Sequence, residues 1–270
     1  MNIKTLGKTI PLSLALATTL HATNGDTLIG IGAKSRGMGG VGIAVSHGAE
    51  SILNNPALIT TVENNTISFG GTIFMPDIQT QLNANPNALP PQDKMTSDAD
   101  VSIIPEVSIA MKITDTFYIG MGMWGTAGMG TDFIKGNGIS DTLASGNFSN
   151  FDMVTNLQLM QFSVPLAYKH NALSVAIAPI VQYGNLDINY AMPDQNTPGS
   201  VNNIGAGLAQ DFGFGFTVGA TYDMSNGVVL GAVYKSAIDM EYRKQLTSAT
   251  QPFGVNLPDG DHLEQPSQFG

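Results

Sequence analysis

In the stretch FGFGFTVGATYD, every second residue is apolar: Phe212, Phe214, Phe216, Val218, Ala220 and Tyr222 alternate with Gly213, Gly215, Thr217, Gly219, Thr221 and Asp223. A period of two places one set on each face of an extended strand and is incompatible with an amphipathic helix. The pattern recurs along the chain. Val228, Leu230, Ala232, Tyr234, Ile238, Met240 and Tyr242 alternate with Gly231, Lys235, Asp239, Glu241 and Arg243. The intervening DMSNG is a hairpin turn in which Asn226-Gly227 tolerates positive φ. Upstream, Val101, Ile103, Pro105, Val107, Ile109 and Met111 oppose Ser102, Glu106, Ser108 and Ala110; after the turn ITDT come Phe117, Ile119, Met121 and Met123. A third hairpin runs from about Leu157 to Tyr190 and turns at Lys169-His170-Asn171, with Leu173, Val175, Ile177, Val181 and Tyr183 on one face. Beyond Gly184 the apolar parity moves to Leu186, Ile188 and Tyr190, which predicts a bulge there. Thr66 to Phe74 reads as a first arm.

Several arms exceed the ordinary strand of about 5–6 residues and reach the ~9–11 that cross a bilayer at a tilt. Tight turns near 113–116, 169–171 and 224–227 alternate with long polar segments near 76–100, 130–155, 191–210 and 244–262. Such an alternation of short and long connections fits an outer-membrane barrel; a secreted β-sandwich would have shorter strands and no such regularity. Tyr118, Tyr183, Tyr190, Tyr222 and Tyr242 lie near arm ends, as an interfacial girdle would. Composition agrees: 12% of residues are charged, against about 25% on average, yet mean hydropathy is only +0.08. The polar remainder is uncharged, as suits a sheet with one apolar and one neutral polar face.

Residues 1–22, MNIKTLGKTIPLSLALATTLHA, have the layout of a secretory signal: Lys4 and Lys8, an apolar core from Ile10 to Leu20, and Leu20-His21-Ala22 as the cleavage site. No other apolar run approaches the ~18–20 residues of a transmembrane helix. The net charge of −10, or −12 without the two leader lysines, disfavours nucleic acid as a partner. With no cysteine, disulfides, thiolate metal sites and a cysteine nucleophile are excluded.

GMGGVG, starting at Gly37, matches G-x-G-x-x-G, and Glu63 lies at a tempting distance. A second match at Gly120, Gly122 and Gly125 falls inside an alternating strand, and no βαβ pattern follows either. The histidines, His21, His47, His170 and His262, form no metal triad. Asp98, Asp100, Asp259 and Asp261 lack EF-hand spacing, and no G-x-S-x-G elbow occurs. The expectation is no enzyme, no metal and no cofactor.

The block KSRGMGGVGIAVSHGAESILNNPALIT resembles the N-terminal hatch of the FadL-type (OmpP1/FadL/TodX) outer-membrane transporters, with its glycine-rich stretch and then Asn55-Pro56-Ala57 just before the first barrel strand. The hairpins IIPEVSIAMKITDTFYIGMGMWG, VPLAYKHNALSVAIAPIVQYGNLDINY and FGFGFTVGATYDMSNGVVLGAVYKSAIDMEYR resemble the family's strand blocks in order, and LEQPSQFG resembles the start of the next strand. The resemblance implies an all-β, 14-stranded antiparallel transmembrane barrel in the Gram-negative outer membrane. On this reading residues 1–22 are the signal, 23–64 the hatch and 65–270 an incomplete wall of about seven strands, so the chain is expected to be the hatch plus the first half of a barrel. The implied function is uptake of long-chain fatty acids or other hydrophobic compounds, by binding in an apolar pocket, hatch rearrangement and lateral release. The implied partners are that cargo, outer-membrane lipid and lipopolysaccharide, around a barrel that is monomeric at full length. A non-transporting barrel with a structural or adhesive role is the alternative.

Within this frame Gly37, Gly39, Gly40 and Gly42 let the hatch fold tightly inside a lumen. Lys235 and Arg243 have inward parity and, with Lys34 and Arg36 in the hatch, are the cations available to a cargo head group; the competing expectation pairs Lys235 and Arg243 with Asp239 and Glu241. Ile204 and Leu208 would share one face of a short loop helix and serve surface capture. Asn185, Asp187 and Asn189 stand where the resemblance leads one to expect basic residues, which keeps neutral hydrocarbons and aromatics open as cargo.

Overall fold

The computed structural model describes residues 28–81, 94–133, 153–193 and 201–270. The leader at 1–22, the segment NANPNALPPQD and all but the first residue of PDQNTPGS lie outside the described residues. The predicted first arm forms as β1, Thr66–Phe74. Two short strands, β2 (Gln79–Thr80) and β3 (Met95–Thr96), pair with each other in the first long connection. The next hairpin is β4 (Ser102–Lys112) and β5 (Phe117–Asp132). The third is β6 (Met153–Ser163) and β7 (Leu166–His170), one arm interrupted at Val164-Pro165, followed by β8 (Leu173–Pro193). Pro165 has no N–H for the ladder, but its carbonyl still accepts from Gly120 N at 3.0 Å. After β9 (Val201–Ile204) and β10 (Ala209–Asp223) come β11 (Val229–Lys235), β12 (Ile238–Glu241), β13 (His262–Gln265) and β14 (Gln268–Phe269).

These strands build one antiparallel sheet of 10 strands in the order β1-β4-β5-β6-β8-β10-β11-β14, with β7 between β5 and β8 and β9 beside β8. Neighbours in sequence are neighbours in space, as in an up-and-down barrel wall. No helix among the described residues is long and apolar enough to cross a membrane.

The register shows where lipid would lie. On β8, Leu173, Val175, Ile177 and Val181 are exposed, whereas Ser174, Ala176, Ala178, Ile180 and Gln182 are buried. The 11 residues from Leu173 to Tyr183, at about 3.3 Å each and tilted about 40°, match the ~25 Å apolar band of an outer-membrane wall. On β10 the band starts at Phe212 and ends at Tyr222, which pair with Tyr183 and Leu173 respectively. Tyr183 and Phe212 touch, with ring centroids 5.3 Å apart, and mark the outer border. The next row outward is Gln158, Asn185 and Gln210, with Asn185 donating to Gln158 and Gln210 to Tyr183.

Three expectations need correction. First, β8 keeps its register with β6 and β10 straight through Gly184, with no bulge. The apolar parity changes because the strand leaves the apolar band: Asn185, Asp187 and Asn189 continue the outward face into polar surroundings, while Leu186, Ile188 and Tyr190 fill the inner side. Those three polar residues therefore say nothing about the lumen. The wall's register shift lies in β5 instead, between Gly125 and Ala127. Second, in the DMSNG turn positive φ is taken by Ser225 (58°) and Gly227 (89°), while the Asn226 side chain accepts from Val228 N at 3.1 Å. Third, the arm predicted from Val228 to Arg243 leaves the wall after Lys235. β12 pairs only with β13 in a separate two-stranded sheet lying against the inner face of β10.

The band makes a prediction about depth. Arginine at Ile177, near its middle, should cost about 2–4 kcal/mol in urea titrations of folding into lipid vesicles, and at Asn185 about 0–1 kcal/mol. Equal costs at the two positions would refute the assigned border.

Candidate functional site

One row of cross-strand partners runs around the inner face: Gly70 on β1, Glu106 on β4, Trp124 on β5, Gln161 on β6, Gln182 on β8 and Gly213 on β10. It forms a polar belt between two apolar layers. On the side of the tight turns, Ile52, Leu53, Ala57 and Ile59 of the N-terminal segment pack with Ala110, Tyr118, Trp124, Ala167 and Ala176 of the wall. On the long-loop side, Leu157, Leu159 and Leu186 of the wall pack with Met240 and Tyr242, and the cluster continues through Ile238 to Ile180, one row past the belt toward the tight turns.

Lys235 projects into the belt. Its ammonium donates to Gln161 Oε1 at 3.2 Å and lies 5.8 Å from the Trp124 ring centroid. Gln161 donates in turn to Gln182 Oε1 at 2.7 Å. Among the described residues Lys235 has no carboxylate partner; the expected pairing with Asp239 or Glu241 is absent because those residues left the wall with β12. A cavity of about 20 Å³ adjoins Lys235, Gln161, Thr126 and Gln268, room for roughly one water. The buried Trp124 indole N–H has no hydrogen-bond partner among the described residues.

The N-terminal segment is held to the wall by polar contacts from its ends and middle. It comprises a short helix, Ala33–Gly37, and two 3₁₀ turns, Gly48–Leu53 and Pro56–Thr61. Asn55, fully buried, caps the second turn by accepting from Ala57 N at 3.1 Å. Its amide donates to Ile43 O at 2.7 Å and reaches the carbonyls of Ala220 and Ala232 on β10 and β11 at 3.3 and 3.5 Å. This approach needs Gly219, since a Cβ there would collide with the Asn55 side chain. Pro56 occupies the first turn, where its missing N–H is harmless, and Ala57 is buried. Gly39 and Gly40 have φ of 73° and 91°, which a Cβ would strain. A Cβ on Gly42 would meet Asn54, whereas Gly37 ends the helix and faces open space. No strand precedes these glycines among the described residues. Gly120 and Gly122 of the second match receive Ile52 on the wall.

Lys34 and Arg36 already have partners, Arg36 with Glu106 of the belt and Lys34 within the N-terminal segment. The Arg36 Nη1 meets Glu106 Oε1 at 2.6 Å, with Glu106 only 3% exposed. The Lys34 ammonium donates to His47 O at 3.2 Å, while Glu50 accepts from Ser68 at 2.8 Å and from Lys34 N at 3.4 Å. Arg243 is 82% exposed and meets Glu241 at 3.4 Å, the one part of the expected Lys235/Arg243 pairing that forms. The loop helix expected around Ile204 and Leu208 is a strand end and a coil: Ile204 pairs with Tyr190 in β9, and Leu208 is exposed. A helix forms instead at Gln245–Thr250. Asp261 anchors its start, accepting from Thr247 N and Lys244 N at 2.8 and 2.6 Å. Burial pushes the Asp261 carboxyl up, but these hydrogen bonds, together with that from the Thr247 hydroxyl, outweigh it and hold it below the usual range. Glu106, Trp124, Gln161 and Gln182 were missed as site residues. Their signal was present: polar or bulky side chains at inward parity in otherwise small or apolar arms.

Residues 14–261 match the profile of the outer membrane protein transport protein family, OMPP1/FadL/TodX. The chain belongs to this family. It is similar to the long-chain fatty acid transport protein of Escherichia coli K12, 23% identical over 248 residues that cover 80% of this chain and 52% of the relative. Among solved structures it resembles the Pseudomonas putida toluene transporter TodX, with a TM-score of 0.64 and 18% identity over 80% of this chain and 57% of that one. A Pseudomonas aeruginosa FadL homologue gives 0.58 and 14% identity over 90% and 64%. The chain spans about half the length of the curated relatives it matches. Family membership places it in the outer membrane of a Gram-negative bacterium, as wall strands of a β-barrel. The relatives are transporters and channels, not enzymes.

Two predictions concern the contacts on this face. Truncating Glu106 to Ala strands the Arg36 charge and should weaken docking of residues 28–62 by about 3 kcal/mol, read as faster amide exchange there; Arg36→Met with Glu106→Leu should restore most of it. Unchanged exchange in Glu106→Ala would show that the pair holds nothing. At the exposed end of the β12–β13 hairpin, His262 Nδ1 sits 2.8 Å from Asp239 Oδ2. That hydrogen bond, helped by the charges of Asp239, Glu241 and Asp259, raises His262 above its ordinary value. A raised group contributes its full stability below the unfolded value, about 6.5, and loses it as pH climbs through the raised one. The hairpin should therefore open more readily at pH 8.5 than at pH 6, seen after intrinsic correction in exchange of the Tyr242 amide, which donates across it to Asp261 O at 2.9 Å. His262→Gln should abolish the difference.

Proposed function

We propose that residues 23–64 form the hatch and 65–270 part of the wall of a channel that takes up hydrophobic compounds, long-chain fatty acids foremost. The observation that carries this reading is the ammonium of Lys235, the only one at the belt among the described residues, in a polar row between two apolar layers. An amphiphile fits that arrangement with its carboxylate at the belt and its tail in the apolar layer. Each methylene leaving water contributes about 0.8 kcal/mol, so the tail supplies affinity and the head supplies position. Bond chemistry has no part in this, and the reading assigns no catalytic residue, metal or cofactor.

Capture begins at the outer loops, within reach of lipopolysaccharide. Leu208, Phe253 and Val255 are exposed there. Gln245, which donates to the Gly207 carbonyl, and Tyr190, which stacks on Phe253 with centroids 6.0 Å apart, tie these loops together. Release is lateral, at the β5 irregularity between Gly125 and Ala127. The N-terminal segment touches the wall there, as Leu28 N donates to Thr126 O at 3.4 Å. A shift of the hatch would free this weak point of the ladder, so movement within the lumen opens the wall. At full length the barrel acts as a monomer in outer-membrane lipid. The fatty acid transport protein of E. coli and the toluene transporter of P. putida represent two cargo types; Lys235 favours the acid.

The test is uptake by cells making the protein. Losing a charge-assisted hydrogen bond worth about 1.5–3 kcal/mol, Lys235→Met should raise the half-saturating oleate concentration about 10–100-fold and leave toluene entry unchanged, at equal abundance in the outer membrane. Equal effects on both cargoes would remove the head-group role. No uptake of either by the unmodified protein would leave the barrel a structural one.

A further inference from the structure

The segment Ser236–Arg243 has a sequence pattern that its observed position does not use. Its alternation continues that of β11 without a break, so in a continuous arm Ile238, Met240 and Tyr242 would share the lipid-facing side with Leu230, Ala232 and Tyr234. Instead the chain turns inward at Ser236, whose N–H donates to Phe216 O at 2.9 Å while its Oγ accepts from Phe216 N at 2.9 Å. Ile238, Met240 and Tyr242 then lie in the lumen, almost wholly buried. The wall is shaped to take them. A Cβ on Gly213 would lie 2.5 Å from Ile238 Cγ2, one on Gly215 2.7 Å from Ile238 Cγ1, and one on Gly184 2.7 Å from Met240 Cε.

The outward position is equally prepared. Continuing the register that pairs Thr217 with Lys235 would set Ile238 beside Phe214 and Met240 beside Phe212, apolar against apolar on the lipid face. It would also supply a partner strand to the β10 edge from Phe212 to Gly215. That edge lies inside the apolar band and has no wall strand on the side β11 vacates among the described residues. Unpaired backbone at such a depth is costly. Inside, β12 is held by its β13 ladder and by Glu241 N donating to Asp211 Oδ2 at 2.7 Å, but one contact at the belt is poor. Gln182 Nε2 spends its donor on Met240 Sδ at 3.0 Å, a weak acceptor compared with oxygen.

We propose that the β12 segment is a two-position strand: inward, it occupies the apolar cargo site; outward, it continues β11 in the wall; and an apolar acid entering the lumen exchanges places with it. The proposal rests on the transport reading above. Cargo would then meet Leu157, Leu159, Ile180 and Leu186, with Gln182 and Lys235 turned to an oxygen head group in place of a thioether and a neighbouring amide. Because the inward strand competes with cargo, apparent affinity is set by the fraction of molecules in the outward position.

The chain lacks cysteine and has a single tryptophan, Trp124, at the belt, so introduced thiols and tryptophan quenching both report cleanly. In purified chain in detergent micelles, 9,10-dibromostearate should quench Trp124 saturably. Oxidising Gly213→Cys/Ile238→Cys, which pins the strand inward, should weaken that binding at least about tenfold, with recovery on reduction. Phe214→Cys/Ile238→Cys, which traps it outward, should crosslink severalfold more in the presence of oleate. Equal affinity in the oxidised and reduced inward pair, with saturable quenching intact, overturns the exchange and leaves the transport reading standing. Absence of saturable quenching in reduced protein overturns the transport reading itself. The outward pair then decides the strand on its own, and failure to crosslink overturns the second position.

Discussion

Hydrocarbon accepts no unpaired backbone N–H or C=O, and every other feature of this fold answers to that constraint. It forces the membrane-crossing segments into a ladder. The ladder forces successive side chains to opposite faces, so each arm must be written with two alternating compositions. The outward set is Phe, Val, Ile, Leu and Tyr because it meets lipid, and its extent, Leu173 to Tyr183 on β8 and Phe212 to Tyr222 on β10, is the thickness of that lipid. Where the band ends the composition changes at once, and Tyr183 with Phe212 gives way to Asn185 with Gln210.

The inner face has the reverse problem, an interior to be filled by something other than its own strands. Its residues are small where another segment lies against them. Gly120 and Gly122 receive Ile52, Gly219 receives Asn55, and Gly213 and Gly215 receive Ile238. Between the two fillings runs a belt of Glu106, Trp124, Gln161 and Gln182. There the chemistry is directional rather than space-filling, and there Lys235 meets the Gln161 amide and the Trp124 ring.

How far this was legible depends on the range of each interaction. Strand faces were readable because alternation is local: Ile109, Met121, Val175 and Phe214 fall on the sides their parity assigns. The parity change at Gly184 was readable but ambiguous, since a bulge and an exit from the lipid band shift the pattern alike. The partner of Arg36 was not readable. Nothing in KSRGMGG points to Glu106, 70 residues away, until register brings β4 beneath the N-terminal segment. Ile204 and Leu208 misled because their spacing of four fits a helix, whereas pairing of Ile204 with Tyr190 on β8 overrides so short a pattern.

Residues 228–243 mark the boundary between the two kinds of knowledge. By itself the sequence determined that Ile238, Met240 and Tyr242 share one face and that Lys235 lies on the other. Alternation is a property of neighbouring residues. Only the tertiary structure decided that the strand turns inward at Ser236, that Asn55 reaches β10 and β11, and that Lys235 has no carboxylate partner among the described residues. Those outcomes depend on which glycines stand opposite, and that is set by pairing between strands far apart in the chain.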